Sequence, residues 1–387
     1  MSLNGVAVIS GIGEIPPQRN IADQTTLGLI ARAARAALID SGLNLDQIAG
    51  LIVGTHVGET PQHVPGTVSE YLGLTPGYAG SCDLGGASGA GMIWRAAAAI
   101  KSGMATHVLC VLGNTREKSL LGKASNRNPI REFDVPYGMS GANSSYALFA
   151  TRHMAEFGTT AEQLAQIAVN ERNNAQLNPD AVFFGQKLTV ADVLASPMIS
   201  SPIHLLEAVM PCAGAAAVIV SSAEYAKTQE KPYVQLLGAG EMVTHRAASQ
   251  AKSFTQSPLR LATKKAYNMA NVEVSDIGMF SLYDCYTIMV GMTLEDVGVC
   301  DRGTFGDFVM KNSFSYDSQF PINTHGGQLG AGQADLAGGM GHVIEAVRQL
   351  RGSASGRQIS NLRYALVTGN GGTVSESAAL VLGTNHE

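Results

Sequence analysis

Apolar residues recur along the first part of the chain in two alternating rhythms. Short unbroken runs, VAVISGIG at 6–13, IAGLIVGTH at 48–56 and THVLCVLGN at 106–114, have the length and β-branched content of buried strands. Between them, TLGLIARAARAALIDSG at 26–42 repeats its apolar positions at helical spacing and stops at Gly42. ASGAGMIWRAAAAIKSG at 87–103 does the same and stops at Gly103. A glycine in that place closes a helix in the left-handed conformation. A short helix at 68–74 and a strand at YAGSCD complete the segment. Unbroken apolar strands set between helices predict a parallel-rich sheet buried on both faces.

The last third repeats this plan. It predicts a helix over 257–272, a strand running into a loop over 275–288, and a helix over 338–352 closed by Gly352. Strands at 364–372 and 376–383 follow. Two pairs of segments make the repeat concrete: NLDQIAGLIVGTH resembles EVSDIGMFSLYDC, and GGASGAGMIWRAAAAIKSG resembles GGMGHVIEAVRQLRG. The chain thus divides into a duplicated α/β core, with 1–114 and 200–235 as the first half and 236–387 as the second. Residues 115–199 form an inserted loop domain. That insertion starts polar (NTREKSLLGKASNRNPIRE), holds a helix at TAEQLAQIAVNERNNAQLNP, and leads to the apolar strand AGAAAVIVSS.

Composition narrows the class. In 387 residues, 45% are hydrophobic and 15% charged, which supports a large interior. A net charge of −5 without runs of like charge excludes a polybasic face for nucleic acid or membrane. No apolar run is long enough for a bilayer, and the start MSLNGVAVISGIGE lacks the basic region of a leader. Five cysteines without a CxxC pair predict reduced thiols, a cytoplasmic location and no internal zinc site.

Candidate chemistry gathers in four glycine-rich turns at strand ends: 85–91, 213–214, 326–332 and 369–372. Ligands bind at the carboxyl ends of parallel strands, and glycine lets them approach the backbone. SCDLGGASGAG at 81–91 opens a helix with Gly85, Gly86 and Ala87 but no nucleophile, Cys82 lying four residues before Gly86. It lacks the GK[ST] ending of a phosphate loop and the downstream acidic residue of a dinucleotide site. LYDCYTI at 282–288 brings Tyr283, Asp284, Cys285 and Tyr286 together after a strand, a phenol, carboxylate and thiol suited to acid–base work. The plainer alternative has the tyrosines packing and Asp284 capping the next helix. INTHGGQLGAG at 322–332 sets His325 before two glycines, where an imidazole either titrates near neutrality against a ligand or is structural. Gln333 follows with a neutral amide.

This order of motifs resembles the thiolase superfamily, and within it the sterol-carrier-protein-type thiolases and their thiolase-like relatives. The resemblance covers nearly the whole chain: RHMAEFGTT (152–160), RNNAQLNPDA (172–181) and CAGAAAVIVSS, then YDCY, NTHGG and GNGG. It implies a five-layered αβαβα sandwich, usually dimeric, that binds acyl-coenzyme A. It also implies a cysteine, in a C-x-S-G pattern, at the start of the first-half helix, where partial positive charge favours thiolate. Here that pattern reads Gly86-Ala87-Ser88-Gly89, so Gly86 marks open space where the cysteine would stand. The family's HDCF becomes Tyr283-Asp284-Cys285-Tyr286, the histidine of its GGxxxxGH turn becomes Gln333, and ALVTGNGG lacks its second cysteine. Losing a covalent nucleophile costs on the order of 10⁶ in rate, so thiolysis is not expected.

What the resemblance leaves is aldol-type enolate chemistry on a coenzyme A thioester, with no covalently bound cofactor. Backbone N–H groups at Gly86–Ser88 and Gly371–Gly372 would stabilise an oxyanion. Tyr283, His325, Asp284 and Cys285 are the candidates for proton transfer, and Ser88, Tyr286, Asn323 and Gln333 for substrate contact. Steroid side-chain aldolases of this superfamily carry a tyrosine at the HDCF position and work with a separate zinc-ribbon/OB-fold protein. A homodimer, such a partner, no nucleic acid and no membrane are the corresponding expectations. The alternatives are a non-catalytic acyl-CoA- or lipid-binding protein or subunit, and a true acetyl-CoA acyltransferase acting through Cys82 or Cys285. Arg116, Lys118, Lys123, Arg127 and Arg131 would meet the coenzyme A diphosphate, or else form a solvated loop or a partner face.

Overall fold

The structure, a computed structural model, describes residues 2–21, 24–55, 63–116, 130–139, 141–228 and 231–384. The first half runs β1 (Ala7–Gln18), α1 (Thr26–Ser41), β2 (Gly50–Gly54), α2 (Val64–Leu72), β3 (Tyr78–Cys82), α3 (Ser88–Lys101) and β4 (His107–Asn114). Then come α4 (Gly141–Phe157), α5 (Ala161–Ala175), α6 (Val190–Ala195), β5 (Met198–Ser200), β6 (Ile203–His204), β7 (Ala213–Ser222) and α7 (Ala223–Ala226). The second half holds β8 (Val234–Val243), α8 (Leu259–Ala270), β9 (Met279–Ser281), α9 (Thr287–Asp296), α10 (Phe305–Lys311) and α11 (Gly327–Ala331). It closes with α12 (Ala337–Leu350), β10 (Tyr364–Gly371) and β11 (Glu376–Thr384).

Helix ends follow the glycine signals. Gly42 sits at φ 73° and gives its N–H to Leu38 O, and Gly103 and Gly352 also adopt left-handed φ. The repeat is visible locally too. A capping box at Asn44 and Gln47 starts the short turn before β2, and one at Glu273 and Asp276 starts the turn before β9.

Nine strands form one sheet in the order β3-β2-β4-β7-β1-β8-β11-β10-β9. Within it, β2-β4-β7-β1 and β9-β10-β11-β8 are the same order twice. Within the sheet, the described residues of the two halves pair at Val8↔Gln235 and Ile9↔Val234. The sheet is mixed, which corrects the parallel-rich expectation. β2 runs parallel to β3 and β4, and β9 to β10. β7 lies antiparallel to β4 and β1, and β11 to β10 and β8. An unbroken apolar run reports burial on both faces, not direction, and the tight turn from β10 to β11 permits only antiparallel pairing.

α3 and α12 pack on each other, and each touches strands of both halves. They are the middle layer, and one apolar cluster runs through them and the inward faces of the strands. α1 covers the outer face of the first half, and α8 with α9 that of the second. This is the five-layered αβαβα arrangement. The middle helices touch at backbone distance, since a Cβ on Gly89 would lie 2.6 Å from Met340 N. A Cβ on Gly339 would strike Gly86 O. Small residues here bring the starts of both helices to one point.

Two expectations about elements change. The strand expected over 275–288 forms a ladder at Met279–Ser281, with one isolated bridge further on from Tyr286 to Ala208. Just past the ladder, Asn323 takes the place of a neighbouring strand: its Oδ1 accepts from Leu282 N at 2.7 Å and its Nδ2 donates to Leu282 O at 2.8 Å. The inserted segment contains α4, whose mix of small, polar and apolar residues gave no helical rhythm, and α5, which packs on α11, α9 and α10. No helix among the described residues is long and apolar enough to cross a membrane.

Candidate active site

The four glycine turns meet. A Cβ on Gly85 would lie 3.0 Å from Gly371 Cα and 3.1 Å from Gly372 N, so the first and last turns touch backbone to backbone. The other two are joined by reciprocal bonds: Cys212 N donates to Gln333 O at 2.7 Å and Gln333 N to Met210 O at 2.9 Å. Tyr283 bridges both pairs.

Tyr283 leaves the end of β9 with its backbone N–H held by Thr368 Oγ1 at 3.0 Å. Its ring fills the volume next to Gly86: a Cβ built there would fall on the phenol, against Oη, Cζ and Cε2. This corrects the expectation of open space at Gly86. A large side chain from the neighbouring loop occupies the place, and only a residue without a Cβ fits beside it. Gln333 Nε2 donates to Tyr283 Oη at 3.1 Å. The phenol is 5% exposed, and burial, with Cys285 and Asp284 nearby, holds its pKa well above the usual value. It is a neutral O–H whose oxygen is already accepting, which leaves its proton to donate.

Asp284 does not cap α9. It accepts from Gln328 N and Leu329 N, both at 2.9 Å, and from His342 Nε2 at 3.0 Å. Burial alone would raise its pKa, but His342 and these N–H groups hold the carboxyl below its ordinary value. With its lone pairs engaged, it fixes α11 and His342 rather than accepting a substrate proton. The neighbouring Glu171 is the reverse case: burial and the Asp284 charge raise it strongly, so it keeps its proton. Both carboxyls crowd the same spot, where a Cβ on Gly327 would strike Asp284 Oδ2 and Glu171 Oε2.

His325 is not a neutral-pH switch. Burial, the first cause, depresses its pKa to about 3, so the ring stays uncharged. It lies 5.2 Å from the His342 ring, which in turn lies 6.1 Å from Tyr283. His325 lines a small polar cavity of about 30 Å³ with Gln328 and Asn178, and Tyr283 is not part of that lining. The two proton-transfer candidates therefore share a neighbour and not a cavity.

Cys285 is a buried thiol pushed up to about 12, with burial the first cause. The Tyr146 phenol of α4 lies beside it. Tyr146 stacks on Tyr286 with ring centroids 4.3 Å apart, and Tyr286 donates to Asn143 Oδ1. Asn370, just before the last glycine pair, donates from Nδ2 to Tyr146 Oη at 2.7 Å. The arrangement is a set of phenols and amides at the carboxyl ends of β9 and β10 that can donate and accept hydrogen bonds.

The profile of the thiolase C-terminal domain-like family matches residues 240–384. The chain is 30% identical over 399 residues to a steroid side-chain-cleaving aldolase of Thermomonospora curvata, covering 99% of each. It belongs to the thiolase superfamily. A 17-hydroxy-3-oxo-4-pregnene-20-carboxyl-CoA lyase of Mycobacterium tuberculosis is 28% identical across 98% of this chain and 100% of its own. Among solved structures, the Ltp2-ChsH2(DUF35) aldolase superposes with a TM-score of 0.90 at 29% identity, covering all of both chains.

In this thiolase-superfamily chain position 86, at the entrance to α3, carries no thiol. Cys82 ends β3, and its buried sulfur lies against the first turn of α3, donating to Ser88 O at 3.8 Å, with the thiol raised by burial to about 11. Ser88 Oγ accepts from Leu84 N at 3.0 Å and so closes the turn before the helix. Asn323 is fully occupied by Leu282 and by Glu171, to which Nδ2 donates at 2.8 Å. Lys118, Lys123 and Arg127 lie outside the described residues, as does the side chain of Arg131. Arg116 N caps against Asn114 Oδ1 at 2.7 Å. Sequence reasoning missed Tyr146, His342, Asn370 and Thr368. Asn370 was on view in GNGG, but nothing in its spacing set it apart from a turn residue.

Proposed function

We propose that this protein breaks, or in reverse forms, the Cα–Cβ bond of a 3-hydroxyacyl-coenzyme A thioester without a covalent acyl-enzyme. The observation that carries this reading is the Tyr283 phenol seated beside Gly86, oxygen accepting from Gln333 and proton free to donate. In such a cleavage the hydroxyl loses its proton, the C–O bond becomes a carbonyl as Cα–Cβ breaks, and the electron pair passes into the thioester enolate. A proton then reaches Cα. Protons balance, and neither an oxidant nor free coenzyme A is consumed. Tyr283 donates its hydrogen bond to the thioester oxygen as charge develops there, and its raised pKa keeps that proton in place at neutral pH. Its ring also bars the space a covalent nucleophile would need.

The two relatives similar along nearly the whole chain are an aldolase and a CoA lyase, and one structural neighbour is an aldolase with a DUF35 partner. They support a CoA-thioester substrate here and a separate zinc-ribbon/OB-fold companion. A homodimer fits the open edge of β3, which among the described residues pairs only with β2.

The test is a cleavage assay on the protein co-purified with its companion, using 3-hydroxyacyl and 3-ketoacyl thioesters. Release of a carbonyl product from the hydroxy substrate, without added coenzyme A, is expected. Tyr283→Phe should lower turnover by roughly 10²–10³, the range for loss of one donor to a developing oxyanion. Cleavage of 3-ketoacyl thioesters alone, with free coenzyme A required, sinks the reading.

A further inference from the structure

The orientation of the Asn370 amide can be deduced from its neighbours. Its Nδ2 donates to Tyr146 Oη at 2.7 Å. The carbonyl oxygen of the amide must face the other way. There Asn370 Oδ1 is buried, in a residue 2% exposed, and has no hydrogen-bond partner.

A buried acceptor is costly to leave unpaired, and almost all such groups in folded proteins have a donor. This one lies at the carboxyl end of β10, two residues after Thr368 and so on the same face of the strand. Thr368 Oγ1 holds the Tyr283 backbone. Asn370 and Thr368, the residue that holds Tyr283, thus stand about 7 Å apart on one face of β10.

We propose that Asn370 Oδ1 is the acceptor for the 3-hydroxyl group of the substrate. The assignment rests on the aldol reading above and goes further by naming the atom that tells a 3-hydroxyacyl from a 3-ketoacyl thioester. A hydroxyl donates to this oxygen, whereas a ketone brings only lone pairs against it. The amide has no proton to give on that side, because Tyr146 holds its NH₂ turned away. Tyr146 is the positioning residue: it sets which end of the amide faces the ligand.

The experiment measures calorimetric binding of three thioesters of equal chain length, 3-hydroxyacyl, 3-ketoacyl and saturated. It is made on Tyr283→Phe protein so that bond breaking is slowed during titration. The hydroxy ligand should bind about tenfold or more tightly than the other two, the scale of one hydrogen bond to a neutral acceptor. Asn370→Leu in the same background should bring all three within about twofold. Tyr146→Phe, which frees the amide to turn, should reduce the hydroxy preference and leave some of it; it serves also if Asn370→Leu does not fold. A preference that survives Asn370→Leu, or is untouched by Tyr146→Phe, overturns the proposal. If unmodified protein with its companion cleaves no 3-hydroxyacyl thioester while the preference and its loss are both observed, the aldol reading fails and the hydroxyl site stands.

Discussion

At the scale of single residues, the site turns on an exchange of volume between positions 86 and 283. A chain with tyrosine at 283 has no room for a Cβ at 86, and glycine at 86 leaves a gap that only a ring as large as tyrosine fills. Gly86→Cys should therefore not restore a thiolase nucleophile. It should destabilise the fold by roughly 1–3 kcal/mol, as overpacking does, and lower the melting temperature measured by calorimetry. Adding Tyr283→Ala should return part of that loss. If Gly86→Cys melts like the unmodified protein, the phenol does not occupy this space. Each substitution could be read in the sequence against the family pattern. Their contact could not, since the two residues are far apart in the chain and meet only through the packing of α3 against the β9 loop.

At the scale of elements, α12 is anchored by buried charge. Glu345 accepts from Arg357 Nε at 2.9 Å and Nη2 at 2.8 Å, and from Thr324 and Gln349. Burial would raise the Glu345 pKa, but the Arg357 hydrogen bond and charge bring it down to about 2. An unfolded glutamate titrates near ~4.3. The pair's contribution is thus whole above that value and is lost as pH falls through about 2. Arg357→Met leaves a buried, unpaired carboxylate and should cost about 3–5 kcal/mol at pH 7 by urea denaturation. The variant's deficit should shrink as pH drops from 4 to 2; a deficit independent of pH counts against the pair. Helices with a clear apolar stripe and a closing glycine, α1, α3 and α12, were legible in the sequence. α4 was not, because GANSSYAL carries small and polar residues without a rhythm, and with it Tyr146 stayed hidden. The early end of β9 was illegible because Asn323, some forty residues away, imposes it.

At the scale of the molecule, all five cysteines are free, and four of them are buried. Burial raises every one of their thiols, Cys82 to about 11 and Cys285 and Cys300 to about 12. Almost no thiolate exists at neutral pH. Iodoacetamide at pH 7.5 should leave turnover intact and label the native chain far more slowly than the urea-unfolded one, as read by mass spectrometry. Rapid loss of turnover on alkylation would point back to a sulfur-based reaction.

The two rungs that join β1 to β8 carry almost no register information from one half of the sheet to the other. Each half is therefore free to gain or shed an outermost ribbon on its own, and among the described residues β3 has no counterpart beyond β9. The glycine-tight crossing of α3 and α12 has no such latitude, because it brings the two halves backbone to backbone beside one phenol.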